Sequence, residues 1–391
     1  MRVFGFFAAS LLATTTMAFA QVQCGGSFSG FVNGLKQEAV ARNHAPASVD
    51  AFFPNVRQDQ RTLSRDRAQG IFTIGFVEFA RRVISQNRMD VGRRNAERYA
   101  AVFNEAERRF GIPRGVLLAF WALETDFGAF QGDFNTLNSL VTLSHDCRRP
   151  ELFRPQIFAA LELFEQGNFD PVNTTGAWAG EIGMVQMLPE DILTKGIDGD
   201  GDGRVDLKNS AADALLSGAN MLAGLGWRRG EPWLQEVSIP GNLDWSETGL
   251  QSGKSGADWA RLGVRPRSGE IRRDLAASLI LPQGRNGPAF LAYPNFKVYF
   301  EWNQSFVYVT SAAYFATRLM GAPVFNAGNP PAVMGDSQMK SLQRKLAERG
   351  HDVGKIDGIL GAGTRAAVRA EQIRLGLPAD AWPTAELLNR L

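Results

Sequence analysis

The chain has 391 residues, of which 45% are hydrophobic and 21% are charged. This length is enough for two or three domains, and the apolar share is enough for a substantial core. The formal net charge is only +2 at pH 7, so the composition gives no support for a nucleic-acid-binding protein.

Residues 1–20 are predicted to form a secretory signal peptide. Arg2 precedes an apolar stretch, and residues 18–20, AFA, resemble a cleavage site before Gln21. The stretch is too short and too weakly flanked for a stable membrane span, and no other segment is apolar enough for one. We therefore expect an exported, periplasmic protein without a transmembrane segment.

The chain contains two cysteines, Cys24 and Cys147. In an exported protein such a pair is expected to form a disulfide. In the chain-entropy description, closing so long a loop contributes about 4–5 kcal/mol. The alternative is a pair of free, buried thiols.

The hydrophobic pattern predicts a mainly α protein in two domains after the signal peptide. Residues 21–325 form the larger domain, in which a Gly-, Pro- and Trp-containing stretch at 235–295 predicts a small, partly β insertion. Residues 326–335 have the composition of a linker. Residues 336–391 are predicted to fold as a compact α module.

Glu124 follows an apolar, aromatic run within residues 111–128, GIPRGVLLAFWALETDFG. On a helix, Leu117, Phe120 and Trp121 share its face. A carboxyl group among these side chains is poorly solvated when charged, so its pKa is expected to rise. A protonated carboxylic acid is what a glycosidic leaving group requires as general acid. The alternative is an ordinary surface glutamate near the end of a helix.

A second motif lies at residues 198–206, DGDGDGRVD. Asp198, Asp200 and Asp202 occupy positions 1, 3 and 5 of an EF-hand-type calcium loop, with a glycine at position 6. Position 12 is Asn209 where a Glu is expected, and Asp213 is a candidate to close a longer loop. The motif predicts a structural calcium ion, because oxygen ligands of this kind are not suited to generating hydroxide at neutral pH. The alternative is an Asp/Gly turn that caps the next helix.

A third motif, residues 176–189, contains three glycines and Gln186 among apolar residues. It predicts either a backbone that lies close to a ligand or a tight crossing of a helix and a loop. Further along, Trp302 and Tyr308 are candidates to stack on sugar rings, and Asn303 is a candidate to bond sugar hydroxyl or N-acetyl groups. The alternative for these aromatic residues is packing in the core.

Taken together, the chain resembles the lytic murein transglycosylase B family over most of residues 28–322. The resemblance is carried by the order and spacing of several segments: ALETDFG (122–128), FNTLNSLVTLS (134–144), WAGEIGMVQMLP (178–189), DGDGDGRVDL (198–207), ANMLAGLGW (219–227) and NFKVYFEWNQS (295–305). The segments SLQRKLAERG, IDGILGAGT and AVRAEQIRLGL resemble a three-helix peptidoglycan-binding domain.

The resemblance implies a lysozyme-like α catalytic domain that acts on the glycan strands of peptidoglycan. Such enzymes cleave the β-1,4 bond between N-acetylmuramic acid and N-acetylglucosamine without water and leave 1,6-anhydromuramyl ends. Glu124 matches the single acid and base of the family, with no catalytic cofactor. The absence of a clear second carboxylate agrees with this, because ordinary glycosidases use a pair.

Further positions match the binding residues of the family. Gln186 and Asn303 fall on substrate-binding positions. Asp198, Asp200, Asp202 and Asp213 fall on the metal loop, where the Arg204 carbonyl is a further ligand. Three positions depart from the family pattern: Ala177 replaces a Ser, Met221 replaces a Tyr, and Trp302 replaces a Tyr found in some members.

Two other functions remain open at this point. A hydrolytic muramidase on the same scaffold would need a carboxylate to position a water molecule, and Glu181 or Asp126 are the candidates. An inactive, wall-binding scaffold protein is the other possibility, to which Ala177 and Met221 give some weight.

Overall fold

The computed structural model describes residues 23–68 and 74–391. The predicted signal peptide lies outside the described residues. Within them, helices dominate and the strands are few and short, which confirms the predicted mainly α fold with a small, partly β insertion. None of the described helices combines the length and the apolar character that crossing a membrane requires.

A first group of helices packs around one hydrophobic core near the N-terminus. It comprises α1 (Phe28–Ala41), α2 (Pro46–Phe52), α8 (Thr136–His145), α9 (Pro150–Glu165) and α10 (Pro189–Lys195). Helix α3 (Gln60–Arg67) packs against α8. The disulfide between Cys24 and Cys147, whose Cα atoms lie 5.2 Å apart, fastens the start of α1 to the segment that follows α8.

A second group of helices surrounds the central core. It comprises α4 (Phe76–Val83), α5 (Gln86–Arg98), α6 (Ala100–Phe110), α7 (Arg114–Thr125), α11 (Ala211–Gly224), α13 (Phe296–Trp302) and α14 (Phe306–Leu319). Most residues of α7 are buried, and α14 lies along it. Helix α7 begins after Pro113 and ends at Asp126, which has the left-handed conformation (φ 51°) of a helix C-terminus.

The predicted insertion is built on a four-stranded antiparallel sheet. Its strands are β3 (Leu234–Ser238), β4 (Arg265–Pro266), β5 (Ser278–Ile280) and β6 (Ala289–Ala292), in the order β4-β3-β6-β5. The 3₁₀ helix Trp245–Glu247 and α12 (Gly256–Arg261) lie between β3 and β4, and α12 carries the fully buried Trp259. A two-stranded ladder of β1 (Phe134–Asn135) and β2 (Thr175–Gly176) belongs to the first helical group.

Residues beyond 335 form three helices with a core of their own. These are α15 (Asp336–Glu348), α16 (Ala362–Arg374) and α17 (Ala385–Arg390). The buried Gln343 fixes the loop before α16, because its side chain donates to the Ile359 carbonyl and accepts from the Gly358 N–H. We call residues 336–391 the C-terminal module.

Candidate active site

Glu124 lies in the last turn of α7, where the helix meets the glycine-rich segment 176–189. The next residue, Thr125, joins the two elements: its hydroxyl donates to the Met184 carbonyl at 2.7 Å and accepts from the Gly128 N–H at 2.9 Å. Glu124 itself is half-buried, like Leu123, whereas residues 115–122 of the helix are buried. The buried helix therefore presents one carboxyl group at the edge of the core.

Two side chains from a distant part of the sequence donate hydrogen bonds to Glu124. The Tyr308 hydroxyl lies 2.6 Å from Oε1, and the Trp302 indole Nε1 lies 2.9 Å from the same oxygen. No hydrogen bond from the described residues reaches Oε2. Because both donors occupy Oε1, the proton of the neutral acid belongs on Oε2.

The pKa of Glu124 is raised above the ordinary value of a glutamate. Burial is the main cause, and the hydrogen bonds from Tyr308 and Trp302 oppose it because they stabilise the charged form. The balance favours a protonated acid in the range where an exposed glutamate is already ionised. This is the property that a general acid for a glycosidic bond needs.

Aromatic packing and a helix cap hold these two donors in place. Trp302, the last residue of α13, packs its ring on Phe120 of α7 with 4.3 Å between ring centroids. Tyr308 lies in the first turn of α14, which begins at the N-cap Ser305. Asn303 accepts the Ser305 N–H at 2.8 Å and so orders the turn between the two helices. Segment 300–308 thus places both hydrogen-bond donors next to the Glu124 carboxyl group.

This arrangement gives segment 300–308 a role that the sequence does not predict. We predicted Trp302 and Tyr308 as sugar-stacking residues, but both contact the acid directly. Asn303 was predicted to bond the sugar, and in the described structure its side-chain oxygen binds the backbone of the turn. Their contacts with substrate stay predictions.

The glycines of segment 176–189 meet other parts of the protein at short range. A Cβ atom on Gly180 would lie 2.3 Å from Cδ2 of Leu140 in α8, and one on Gly183 would lie 2.4 Å from the Leu207 carbonyl oxygen. The close approach of these segments requires glycine, which fits the second of the two alternatives predicted from the sequence, while a ligand beside this backbone stays a prediction.

Gln186 lies in the same segment with a left-handed backbone, φ 53°. Its Nε2 donates to the Gly183 carbonyl at 2.8 Å and makes a longer contact with the Gln131 carbonyl at 3.4 Å. No hydrogen bond from the described residues reaches its Oε1. The amide oxygen is therefore available to a ligand, whereas its NH₂ group is used within the loop.

Glu181 is a second carboxyl group in the neighbourhood of Glu124. Its pKa is raised, first by burial and also by the negative charge of Glu124, and its Oε2 is buried without a hydrogen-bond partner in the described residues. The other candidate partner, Asp126, is paired with Arg88 at 2.9 Å. Of the two candidates, Glu181 is the one whose pKa responds to the charge of Glu124.

The predicted metal loop brings three carboxylates together. Oxygen atoms of Asp198, Asp200 and Asp202 lie within 4.8 Å of one another, and all three residues are exposed. Asp213 is buried instead, and its carboxylate accepts the N–H groups of Gly199 (2.9 Å) and Asp206 (2.7 Å). Asp213 thus holds the loop closed through the backbone, while the three-carboxylate group retains the oxygen donors that calcium prefers. The Arg204 carbonyl stays a predicted ligand.

The loop also supports the active-site segment, which the sequence did not indicate. The Leu207 carbonyl accepts the Met184 N–H at 2.8 Å. Lys208 donates to the Thr175 carbonyl at 2.6 Å, and burial lowers the pKa of this lysine. An ordered loop therefore helps to fix the segment that contacts the end of α7.

Comparisons with known proteins agree with this architecture. Residues 27–317 match the family described as "Transglycosylase SLT domain", and residues 335–391 match the family described as "Putative peptidoglycan binding domain". Membrane-bound lytic murein transglycosylase B of Escherichia coli (strain K12) is 27% identical over 208 residues, which cover 53% of this chain and 57% of that protein. The chain thus spans little more than half the length of this curated relative.

Solved structures extend the match over nearly the whole chain. SltB3 from Pseudomonas aeruginosa, in complex with NAG-anhNAM-pentapeptide, is 34% identical with a TM-score of 0.85, covering 94% of this chain and 99% of that chain. Lytic transglycosylase Slt35 of Escherichia coli, solved in complex with calcium, is 23% identical with a TM-score of 0.64, covering 76% of this chain and 96% of that chain, and shows likeness of fold alone. These matches confirm the resemblance inferred from the sequence motifs.

Proposed function

Because the chain belongs to the SLT transglycosylase domain family, we propose that it is a lytic transglycosylase of peptidoglycan in which Glu124 serves as acid and then as base. The observation that carries the proposal is the environment of the Glu124 carboxyl group. It is a carboxyl group with a raised pKa and two hydrogen-bond donors on one oxygen. SltB3 binds a NAG-anhNAM-pentapeptide, which is a product of this chemistry, and this supports the choice of substrate.

In the proposed reaction, Glu124 first gives its proton to the oxygen of the β-1,4 bond between N-acetylmuramic acid and N-acetylglucosamine. The C1–O bond breaks, and the hydroxyl group on C6 of the muramyl residue attacks C1. The Glu124 carboxylate then takes the proton of that hydroxyl, which closes the 1,6-anhydro ring and restores the acid. No water is consumed and no second catalytic carboxylate is required.

Tyr308 and Trp302 are proposed to balance the two roles of Glu124. Burial alone would hold the proton too strongly for release, while two hydrogen bonds to Oε1 stabilise the carboxylate that exists between the two proton transfers. The acid is thus kept protonated before the reaction without becoming inert.

The remaining parts are proposed to serve binding and stability. The C-terminal module is proposed to bind the wall polymer and to raise the local concentration of the catalytic domain on it. The group Asp198, Asp200 and Asp202 is proposed to hold calcium, whose charge would order the loop beside the active-site segment. We propose a periplasmic location after removal of residues 1–20.

The test is mass spectrometry of the products that residues 21–391 release from purified peptidoglycan. Glu124→Gln is the critical variant, and Glu97→Gln is the matched control because Glu97 is exposed on α5. We expect muropeptides lighter by one water than hydrolysis products from the parent and the control, and none from Glu124→Gln. Cleavage by Glu124→Gln at the parent's rate would refute the assignment, and binding without release by the parent would indicate an inactive scaffold.

A hydrolytic muramidase is the second candidate, because Glu181 lies close enough to Glu124 for the two charges to interact, although burial and that charge disfavour the ionised form of Glu181 that the reaction would use. In that reaction the Glu181 carboxylate would position water against C1. Reducing ends in place of anhydro ends, lost in Glu181→Gln, would select this function. Anhydro products from the parent, retained in Glu181→Gln, would exclude it.

A further inference from the structure

The C-terminal module touches the catalytic domain next to segment 300–308. Arg365 of α16 places its guanidinium group 4.8 Å from the ring centroid of Phe306, the first residue of α14. Its Nη2 also donates to the Pro282 carbonyl of the insertion at 3.1 Å. One side chain of the module therefore contacts two parts of the catalytic domain.

Arg365 is held firmly on the side of the module. Its guanidinium lies 5.7 Å from the ring centroid of Trp382, which is only 3% exposed. Burial lowers the pKa of Arg365 to about 10, so the group is still charged at neutral pH and attracts the faces of both rings. The Arg365 guanidinium group therefore lies between the Phe306 ring of the catalytic domain and the Trp382 ring of the module.

Other contacts fix the module at the same place. The Arg285 N–H donates to the Asp380 carboxylate at 3.0 Å. A Cβ atom on Gly284 would lie 2.8 Å from the Cβ atom of Trp382, so the two backbones approach closely. The module thus packs against the catalytic domain through several short contacts. A domain joined only by a flexible linker would not need such contacts.

The contacted residue is part of the structure that carries the donors to Glu124. The Phe306 ring stacks with Phe300 of α13 at 6.3 Å, and Tyr308 follows it by two residues in the first turn of α14. A shift of this turn would lengthen the 2.6 Å bond between the Tyr308 hydroxyl and Glu124. Hydrogen bonds weaken steeply as their geometry departs from the optimum.

We infer that Arg365 is a positioning residue for the catalytic acid: through Phe306, the C-terminal module supports the turn that places Tyr308 and Trp302 on Glu124. The module then contributes to the chemical step as well as to wall binding. This inference rests on the proposed function of Glu124.

A short, soluble glycan of alternating N-acetylglucosamine and N-acetylmuramic acid separates the two contributions. A module that acts only as a wall anchor has no effect on such a substrate, whereas a module that supports the active site does. We expect Arg365→Ala to lower kcat on this substrate by up to about tenfold with little change in KM. Arg344→Ala is the control, because Arg344 is exposed on the module.

Two further readouts distinguish positioning from loss of stability. If Arg365 acts through Tyr308, the losses in kcat from Arg365→Ala and Tyr308→Phe will be less than additive in the double variant. Arg365→Ala will also move the alkaline limb of the kcat/KM profile upward, because a weaker bond to Oε1 favours the protonated acid. Arg365→Lys, which keeps the charge but not the planar fork, is expected to recover part of kcat.

The inference is overturned if Arg365→Ala folds and retains the parent's kcat and pH profile on the soluble glycan. Should that variant fail to fold, Phe306→Leu is tested in its place, because it keeps an apolar side chain and removes the ring that Arg365 contacts. The parent's kcat and pH profile in Phe306→Leu would then overturn the inference. Failure of the proposed function looks different: the parent protein itself would then release no anhydro product from the soluble glycan.

Discussion

Removal of the Tyr308 hydroxyl is the sharpest test of how the acid is tuned. In Tyr308→Phe, Oε1 of Glu124 loses its 2.6 Å hydrogen bond and keeps the bond from Trp302. The lost bond stabilised the carboxylate, so the pKa of Glu124 must rise further. Activity that depends on the protonated acid will then persist to higher pH than in the parent protein.

The size of the effect follows from the type of bond. A hydrogen bond to a charged group contributes about 1.5–3 kcal/mol, and about 1.4 kcal/mol corresponds to one pH unit. Tyr308→Phe should therefore move the alkaline limb upward by about one to two pH units. We expect a shift at the lower end of this range, about one pH unit, because the hydrogen bond from Trp302 to the same oxygen remains.

The assay is kcat/KM as a function of pH, since this ratio reports groups of the free enzyme. Tyr299→Phe is the matched control, because Tyr299 is a buried tyrosine whose hydroxyl has no hydrogen-bond partner in the described residues. The control should leave the limb in place. An unchanged or lowered limb in Tyr308→Phe would refute the argument that the tyrosine stabilises the ionised acid.

Three further predictions concern stability. Because folding raises the pKa of Glu124, the free energy of unfolding should fall as pH rises from the ordinary glutamate range through the raised value. Glu124→Gln should therefore unfold at a higher urea concentration than the parent at neutral pH but not at acidic pH. An equal difference at both pH values would contradict this. Cys24→Ser should lower the free energy of unfolding by about 2–5 kcal/mol under oxidising conditions, measured in urea with the reduced parent as reference; no loss would mean that the disulfide adds nothing. Calcium should raise the Tm of the parent relative to a chelator and leave that of Asp198→Asn unchanged, whereas an identical Tm for the parent in both conditions would exclude binding at this loop.

Local patterns allowed the environment of Glu124 to be predicted. The buried face of α7 follows from the helical spacing of Leu117, Phe120 and Trp121, and it led to a raised pKa for Glu124 that the structure reproduces. The same kind of periodicity predicted the main helices and the partly β insertion. These features depend on residues that are near one another in the sequence.

The residues that contact the acid could not be predicted in the same way. Trp302 and Tyr308 lie 178 and 184 positions from Glu124, so only the packing of α13 and α14 against α7 brings them together. The motif around them predicts sugar binding, which stays a prediction. It gives no sign of the contacts with Glu124, because an aromatic residue has the same appearance in a sequence whether it faces a ligand or a neighbour. Asp213 is similar: its place in the motif predicts a metal ligand, which stays a prediction, and the motif alone does not show that its buried carboxylate also binds two backbone N–H groups of the loop.

The occupation of a single oxygen of Glu124 has a consequence for the order of events in the proposed reaction. With Oε1 engaged by two donors, Oε2 must both release the first proton and collect the second. The departing N-acetylglucosamine oxygen and the muramyl C6 hydroxyl must therefore lie next to Oε2 one after the other. The leaving saccharide has to move away from Oε2 before the ring can close, so product departure on that side would precede the second half of the cycle.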